Sequence, residues 1–574
     1  MAEILDNIID NLNNDRLTTA LKLCEQNKDE KIEHIISNIK GVILFKQKNY
    51  KLAKIEFVKS INKDKKFIDP YKNLFKVHLK LKNFKSAILN ALNVIELDNT
   101  ENPLSFFNLA LAYDLDENFE KAIEIYKKIE KSEFKEKKIL FNNLAKCYLS
   151  TENINEAENY YLKALEIDQN DKIVINNLLI FYLRLGNSNK SEKFYNKAKA
   201  LDLNYLEFRL NESEYFLFKG DIEKAIKILN SIILETKNYF AYKKLAKIYS
   251  MMNDNKKAIE IIEEALTIYP NKKDLKVNRG IIYLTEGDFD KGWEFYEYRK
   301  SIVNDETFEN IKIWKGENLT DSNLLVTCEQ GMGDVLQFSK FLMNLSPLCK
   351  KIDFCLYDKL IPIYKKKINN INICKKSEIV KNNYDYRISL GSLNKFFYKE
   401  NNFRSSELLK FKNEPTKKHS SILDNKKKNI GLIWSGNFFG PKEPFRSIEL
   451  KNFDKLLKLN ANYYSFQNEI WDRDKEFFKK SEIVDYSKKN FSEIISIIQN
   501  LDLVISTDTF FLHLSCICNK ETWGLIPFNA DWRWYDYYKF NPYKTLKIYK
   551  QKNYNNWDAV IQLIQEDLKI KFDI

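Results

Sequence analysis

The chain of 574 residues reads as an α-helical repeat solenoid followed by an α/β module of two parallel-sheet halves. Three observations predict this. Small residues recur every 33 to 35 positions as far as about residue 300. The recurrence then stops. Beyond it, apolar runs of strand length alternate with helical stretches. A chain this long exceeds a single core, so several domains are expected. Their expected bounds are 1–300 for the repeats, 301–420 for the first half of the module and 421–574 for the second.

The repeat region comes first. Ala20, Ala53, Ala87, Ala122, Ala157, Ser191, Ala225, Ala258 and Gly292 mark one small position. Each follows a short polar turn, such as Lys82-Asn83-Phe84 or Lys219-Gly220-Asp221. Twelve residues earlier a second small position holds Gly41, Ala110, Ala145, Ser213, Ala246 and Gly280, with Phe75 and Leu179 as departures. An aromatic follows three residues later at Tyr113, Tyr148, Tyr182, Phe216, Tyr249 and Tyr283. Small residues let two helices approach closely, and the aromatic is expected to fill the gap to the next unit. Only 14 Gly and 10 Pro in the whole chain agree with helices joined by short turns. The pattern resembles the tetratricopeptide repeat, with about eight full units and a partial N-terminal one. Stacked units of this kind form a superhelix with a concave groove. The expected occupant is a protein or peptide.

After Arg299 the strand-length runs are Asn323–Cys328, Lys351–Leu356, Asn429–Trp434, Tyr463–Phe466, Leu501–Ser506 and Thr522–Ile526. A lysine-rich polar stretch, 401–428, divides them. Two Rossmann-like halves follow, with a ligand cleft at the carboxyl ends of the strands.

Four segments carry candidate chemistry. In Cys328-Glu-Gln-Gly-Met-Gly-Asp-Val-Leu-Gln-Phe338, Gly331 and Gly333 permit a tight turn after the first strand. Asp334 is then either a general base toward an acceptor hydroxyl or a helix cap. In Ile433-Trp-Ser-Gly-Asn-Phe-Phe-Gly-Pro-Lys-Glu-Pro-Phe-Arg-Ser447, Lys442 and Arg446 can wrap a diphosphate or can be plain exposed cations. In Leu501–Leu514 a buried strand runs into Thr507-Asp508-Thr509, and the helix start makes an anion site. His513, one turn along, is either a packed core residue or a group at the cleft. The fourth, Asn529-Ala-Asp-Trp-Arg-Trp534 with Tyr535, Tyr537 and Tyr538, can stack a base or sugar, or close one half over the other.

In order, E-Q-G-x-G-D-x-x-Q-F, W-S-G-N with R-S, Y-S-F-Q, S-T-D-T-x-x-x-H-L and D-W-R-W resemble a bacterial family. Its members join tetratricopeptide repeats to a module similar to the ADP-heptose heptosyltransferases of glycosyltransferase family 9. The stretch Gly287–Arg299 fits the same resemblance. It implies a GT-B fold and metal-independent, inverting transfer from a nucleotide-diphosphate sugar to a protein or glycan, with no cofactor. Asp334 matches the catalytic base, with His513 beside it. Gly331, Gly333, Gln337, Ser435, Gly436, Asn437, Lys442, Arg446, Gln467, Asp508, Thr509 and His513 match the nucleotide-sugar site. Phe510 stands where the family has glycine. The other function class is a repeat scaffold whose transferase module has lost turnover.

Composition narrows the field. The net charge of +13 comes from lysines scattered among acids, so nucleic acid is not the expected main partner. Eight cysteines form no CxxC pair and only four histidines are present, which argues against a zinc cluster or a disulfide framework. Cys516 and Cys518 are expected to be buried thiols. No run approaches the ~20 apolar residues of a membrane span, and the acidic start lacks a signal core, so a cytoplasmic location is expected.

Overall fold

A computed structural model of the chain describes residues 2–27, 29–98, 102–301, 308, 310–329, 331–399, 426–436, 446–534, 543–553 and 556–574. Two compact units are present: Met1–Leu179 with Asn196–Leu203, and Ile180–Tyr195 with Asn204–Ile574.

Eighteen helices among the described residues lie between Ala2 and Tyr296, as nine consecutive helix–turn–helix pairs. The N-terminal unit, expected to be partial, is a complete pair, Ala2–Asn13 and Leu17–Gln26. The turn chemistry repeats with the helices. Asp15, Lys48, Lys82, Glu117, Glu152, Gly186, Gly220, Asn253 and Gly287 all have left-handed φ, between +55° and +82°. At the second turn Lys48 N–H donates to Phe45 O and Asn49 N–H to Leu44 O, each at 2.9 Å, closing the first helix with a Schellman motif. Asn49 then caps the second helix by accepting from Leu52 N–H. Asn83, Asn118, Asp221, Asp254 and Asp288 do the same at their turns.

The small positions are small because a neighbouring helix occupies the space. Ala20, Ala53, Ala87, Ala122, Ala157, Ser191, Ala225 and Ala258 are all 0% exposed. A Cβ on Gly280 would lie 2.7 Å from Tyr296 N and 3.0 Å from Gly292 O, so that helix pair meets backbone to backbone. The repeating aromatic packs in two ways: Phe216 meets Tyr195 of the preceding helix pair edge to face at 5.5 Å, filling a gap between units as expected, while three others turn to their own pair. Tyr148 stacks on Tyr160 at 5.5 Å, Tyr182 on Phe194 at 5.5 Å and Tyr283 on Phe295 at 6.0 Å. Each partner belongs to the same helix pair. At these three positions the aromatic lies in the last turn of its helix, next to the hairpin, and the returning helix supplies its partner.

The second unit carries two sheets. The first has the order β3-β4-β2-β1-β5: β1 (Asn323–Thr327), β2 (Lys351–Cys355), β3 (Lys367–Ile368), β4 (Ile371–Cys374) and β5 (Tyr386–Ser389). Only the edge strand β3 is antiparallel. The second is parallel throughout its described pairs, in the order β11-β10-β9-β6-β7-β8. Its strands are β6 (Lys428–Ile433), β7 (Ala461–Ser465), β8 (Val484–Asp485), β9 (Leu503–Thr507), β10 (Thr522–Ile526) and β11 (Leu546–Lys550). All five residues of β9 and of β10 are buried. Covered on both faces, such strands read as unbroken apolar runs. The C-terminal region is thus an α/β module.

Candidate functional site

Strand order locates the crevices. In the second sheet the chain leaves β6 toward β7 on one side, while β9 leads to β10 on the other. In the first, β1 leads to β2 on one side with β5 on the other. At such switch points the connections diverge and leave an opening at the carboxyl ends of the strands. The sequence-predicted residues follow β1, β6 and β9.

After β1 the chain turns through Gly331 into the short helix Met332–Phe338. Gly331 is the residue preceding that helix, with no side-chain capping bond, so Asp334 lies one turn inside and is not the cap. Its carboxylate accepts a hydrogen bond from Arg533 Nη2 at 2.7 Å across 199 residues of sequence. Gly333 faces the second half: a Cβ there would come within 3.1 Å of His513 Cδ2 and 3.6 Å of Phe510 Cα. Gln337 is 6% exposed, and its Oε1 has no hydrogen-bond partner among the described residues.

After β9, Thr509 precedes the helix Phe510–Ile517. Its hydroxyl is 3.1 Å from that of Ser506. Asp508 is buried, and its backbone carbonyl accepts from Arg446 Nη1 at 2.9 Å. Thus Arg446 and Asp508, 62 residues apart, are brought together. His513 is 2% exposed and stacks on Trp534 with ring centroids 5.9 Å apart. Its Nδ1 is 2.9 Å from Tyr543 Oη. Burial lowers the His513 pKa to about 4; Asp508 opposes that and Arg533 adds to it. The imidazole is therefore neutral near pH 7.

Ser435 and Gly436 follow β6. Gln467 straps them in place: its Oε1 accepts from Trp434 and Ser435 N–H at 2.9 and 3.0 Å. Its Nε2 donates to Ser435 Oγ at 2.5 Å and Glu469 O at 2.9 Å. That uses the full bonding capacity of the amide, so Gln467 shapes the loop. Gly436 N–H donates to Ser447 Oγ at 3.0 Å. Asn437, Lys442, Tyr535, Tyr537 and Tyr538 lie outside the described residues.

Sequence reasoning gave no role to several side chains that complete this arrangement. Arg533 is the main one. Burial works against its charge, yet Asp531, Asp334 and Asp508 hold it more firmly protonated than an ordinary arginine. Asp334 shows the complement: burial pushes its carboxyl above the ordinary value, Arg533 pulls it down, and Asp531 and Asp508 push it up again. Arg299, contributed by the last repeat, is 6% exposed. It donates to Glu329 after β1 and to Ser392 after β5, at 2.9 and 2.8 Å, and so spans the first sheet's crevice. Trp293, from the same repeat, meets Trp532 edge to face at 5.0 Å. Among the described residues no cluster of His, Cys, Asp and Glu could hold a metal ion, and no helix is long and apolar enough to cross a membrane.

Comparison with known proteins bears on the helical region. A family model described as the tetratricopeptide repeat matches residues 104–135, 140–171, 174–205 and 241–272. No curated protein matches the chain. Similar solved structures include a tetratricopeptide repeat protein from Parabacteroides merdae, 18% identical, covering 42% of this chain and 94% of that one with a TM-score of 0.36. PilF of Pseudomonas aeruginosa is 15% identical, covering 38% and 97%, with a TM-score of 0.31. MamA from Desulfovibrio magneticus is 21% identical, covering 30% and 96%, with a TM-score of 0.28. The family match and the recurring hairpins lead to one conclusion: the N-terminal helical region of this chain is built of tetratricopeptide repeats.

Proposed function

We propose that the C-terminal module is a GT-B-like glycosyltransferase that moves a sugar from a nucleotide-diphosphate sugar to a protein or glycan presented by the repeats. One observation carries this reading. The turns leaving β1 and β9, one from each sheet, meet so closely that a Cβ on Gly333 would touch His513. Asp334, Asp508, His513 and Arg533 gather around that meeting. In the proposed reaction the acceptor oxygen forms a bond to the anomeric carbon as that carbon's bond to the diphosphate breaks. The acceptor proton passes to Asp334, whose burial raises its basicity. The electron pair leaves with the diphosphate, stabilised by guanidinium and backbone N–H groups without need of a metal. Neutral His513 serves as a hydrogen-bond donor through Nε2 when Tyr543 donates to its Nδ1.

The test is a thermal-shift panel of nucleoside diphosphates and their sugars, followed by hydrolysis and transfer assays on Asp334→Ala, Asp508→Ala and His513→Ala. Stabilisation by at least one donor, with turnover lost in Asp334→Ala, is the expected result. If no nucleotide stabilises the chain at millimolar concentration, the donor site does not exist.

A second reading is a protein-binding scaffold with a module that no longer turns over. It is favoured by the bond from Arg533 that already occupies Asp334. It predicts nucleotide binding without transfer, and protein capture that survives Asp334→Ala.

A further inference from the structure

We propose that Arg533 is a ligand for the donor's diphosphate, and that its bond to Asp334 is a placeholder which the diphosphate exchanges on binding. The inference rests on the donor-site reading above. The Arg533 side chain is 13% exposed, within ionic reach of Asp334 and Asp531, and it feels the charge of Asp508. Its hold on Asp334 is a single hydrogen bond, Nη2 to Oδ1. The planar fork of a guanidinium is built to make two parallel bonds. Nε is buried with no hydrogen-bond partner among the described residues; Asp531 Oδ1, at 3.4 Å, is an ionic neighbour only. A cation held so incompletely in a buried place can gain from a ligand that offers two anionic oxygens.

The location fits that ligand. Arg533 belongs to the loop after β10, next in the sheet to β9, whose carboxyl end opens at Asp508 and Thr509. Arg446 reaches the same place through the Asp508 carbonyl. Charge makes the exchange consequential. Asp334, Asp508 and Asp531 already outnumber Arg533. A diphosphate entering beside them is repelled unless the guanidinium turns to it, and turning to it leaves Asp334 without its counter-ion. A carboxylate released in this way is a stronger base. Donor binding would thereby switch on the group that takes the acceptor's proton, and an empty site would keep that group occupied.

The experiment measures binding of inorganic pyrophosphate, ADP, UDP and GDP to the full chain by calorimetry. The proteins are the wild type, Asp334→Asn, Arg533→Lys, Arg533→Met and the double variant Asp334→Asn/Arg533→Met. Exchange predicts that Asp334→Asn binds pyrophosphate and the preferred nucleotide three- to tenfold more tightly, because the competing anion is gone. Arg533→Met should weaken both at least tenfold and Arg533→Lys by less. In the Arg533→Met background the Asp334→Asn gain should shrink to what the relief of carboxylate repulsion alone gives. Thermal melts establish which variants fold, and Asp334→Asn, nearly isosteric, carries the test if the arginine variants do not. If the wild type binds nucleotide while Asp334→Asn binds equally or more weakly, Arg533 is a structural strut and the exchange is wrong. If the wild type binds no probe, the donor-site reading fails, and the exchange with it.

Discussion

Glycine and its alternatives at the repeat hairpins provide the most quantitative test of the fold. Each of the nine turns holds one residue in the left-handed region, and only Gly186, Gly220 and Gly287 adopt it without penalty. At Gly220, φ is +82° and an added Cβ would meet nothing within 4 Å. Gly220→Ala therefore isolates backbone strain. An L-residue in this region costs about 1–2 kcal/mol, offset by roughly 0.4–1 kcal/mol from the stiffer unfolded chain. The net loss is about 0.5–1 kcal/mol. The reverse change, Glu117→Gly, acts at an exposed residue with φ of +61° and should gain a similar amount. Lys48→Gly and Lys82→Gly should add to it, for about 2 kcal/mol together, since whole repeats separate the sites. Glu124→Gly, on an exposed helix surface, is the control and should lose about 1 kcal/mol. Urea and thermal unfolding would measure all five. If Glu117→Gly destabilises as much as Glu124→Gly, or Gly220→Ala is neutral, the account of the hairpins is wrong.

Other outcomes follow from particular contacts. Gly280→Ala places a methyl 2.7 Å from Tyr296 N, so the last helix pair must part; a loss of about 1–3 kcal/mol is expected in the same assays. Arg299→Met leaves Glu329, whose side chain is 10% exposed, without this counter-ion and should cost about 3 kcal/mol, with accelerated proteolysis around residues 323–399. For His513 the folded pKa is depressed to about 4 from an ordinary 6.5, so its contribution to stability is full above pH 6.5 and declines as pH falls toward 4, while the unfolded chain takes up the proton and the fold does not. Its ring signals in NMR should stay flat from pH 8 to pH 5, and titration with a midpoint near 6.5 would contradict the buried arrangement. Tyr543→Phe leaves His513 Nδ1 without its hydroxyl neighbour and should lower stability by about 1–3 kcal/mol.

The repeats were legible because their determinants are local. A small residue, a turn and an aromatic recur at fixed spacing, and each reports on neighbours in the same hairpin. The buried strands β1, β2, β6, β7, β9 and β10 were visible as apolar runs. Two-residue strands such as β3 and β8, and β11 with its apolar run broken by Lys547, carry too little pattern to be seen. At the candidate site, the turns at Gly331 and Thr509 could be read from sequence. The pairing of Asp334 with Arg533 could not, because no local rule connects residues 199 apart. The residue before a helix also decides which side chain caps it, and the change from Asp334 to Gly331 removed the cap reading. Gln467 shows the same limit: the resemblance put it in the nucleotide-sugar site, and only its four bonds reveal that it holds the shape of the loop after β6.

The contribution of Trp293 and Arg299 to the module's wall bears on how such a chain can be lengthened or cut. In stacked-repeat proteins each internal unit contacts only its neighbours, so their number can change by whole units. The final hairpin has no such freedom. One of its faces is repeat, and the other is the floor beneath Glu329 and Ser392. A fragment beginning at residue 301 would expose Trp532 and strip Glu329 of its guanidinium, whereas one that retains the last hairpin, Lys273–Thr285 with Phe289–Tyr296, and the turn after it keeps both. The smallest autonomous form of the module is therefore expected to carry one hairpin of the arm as its own first element.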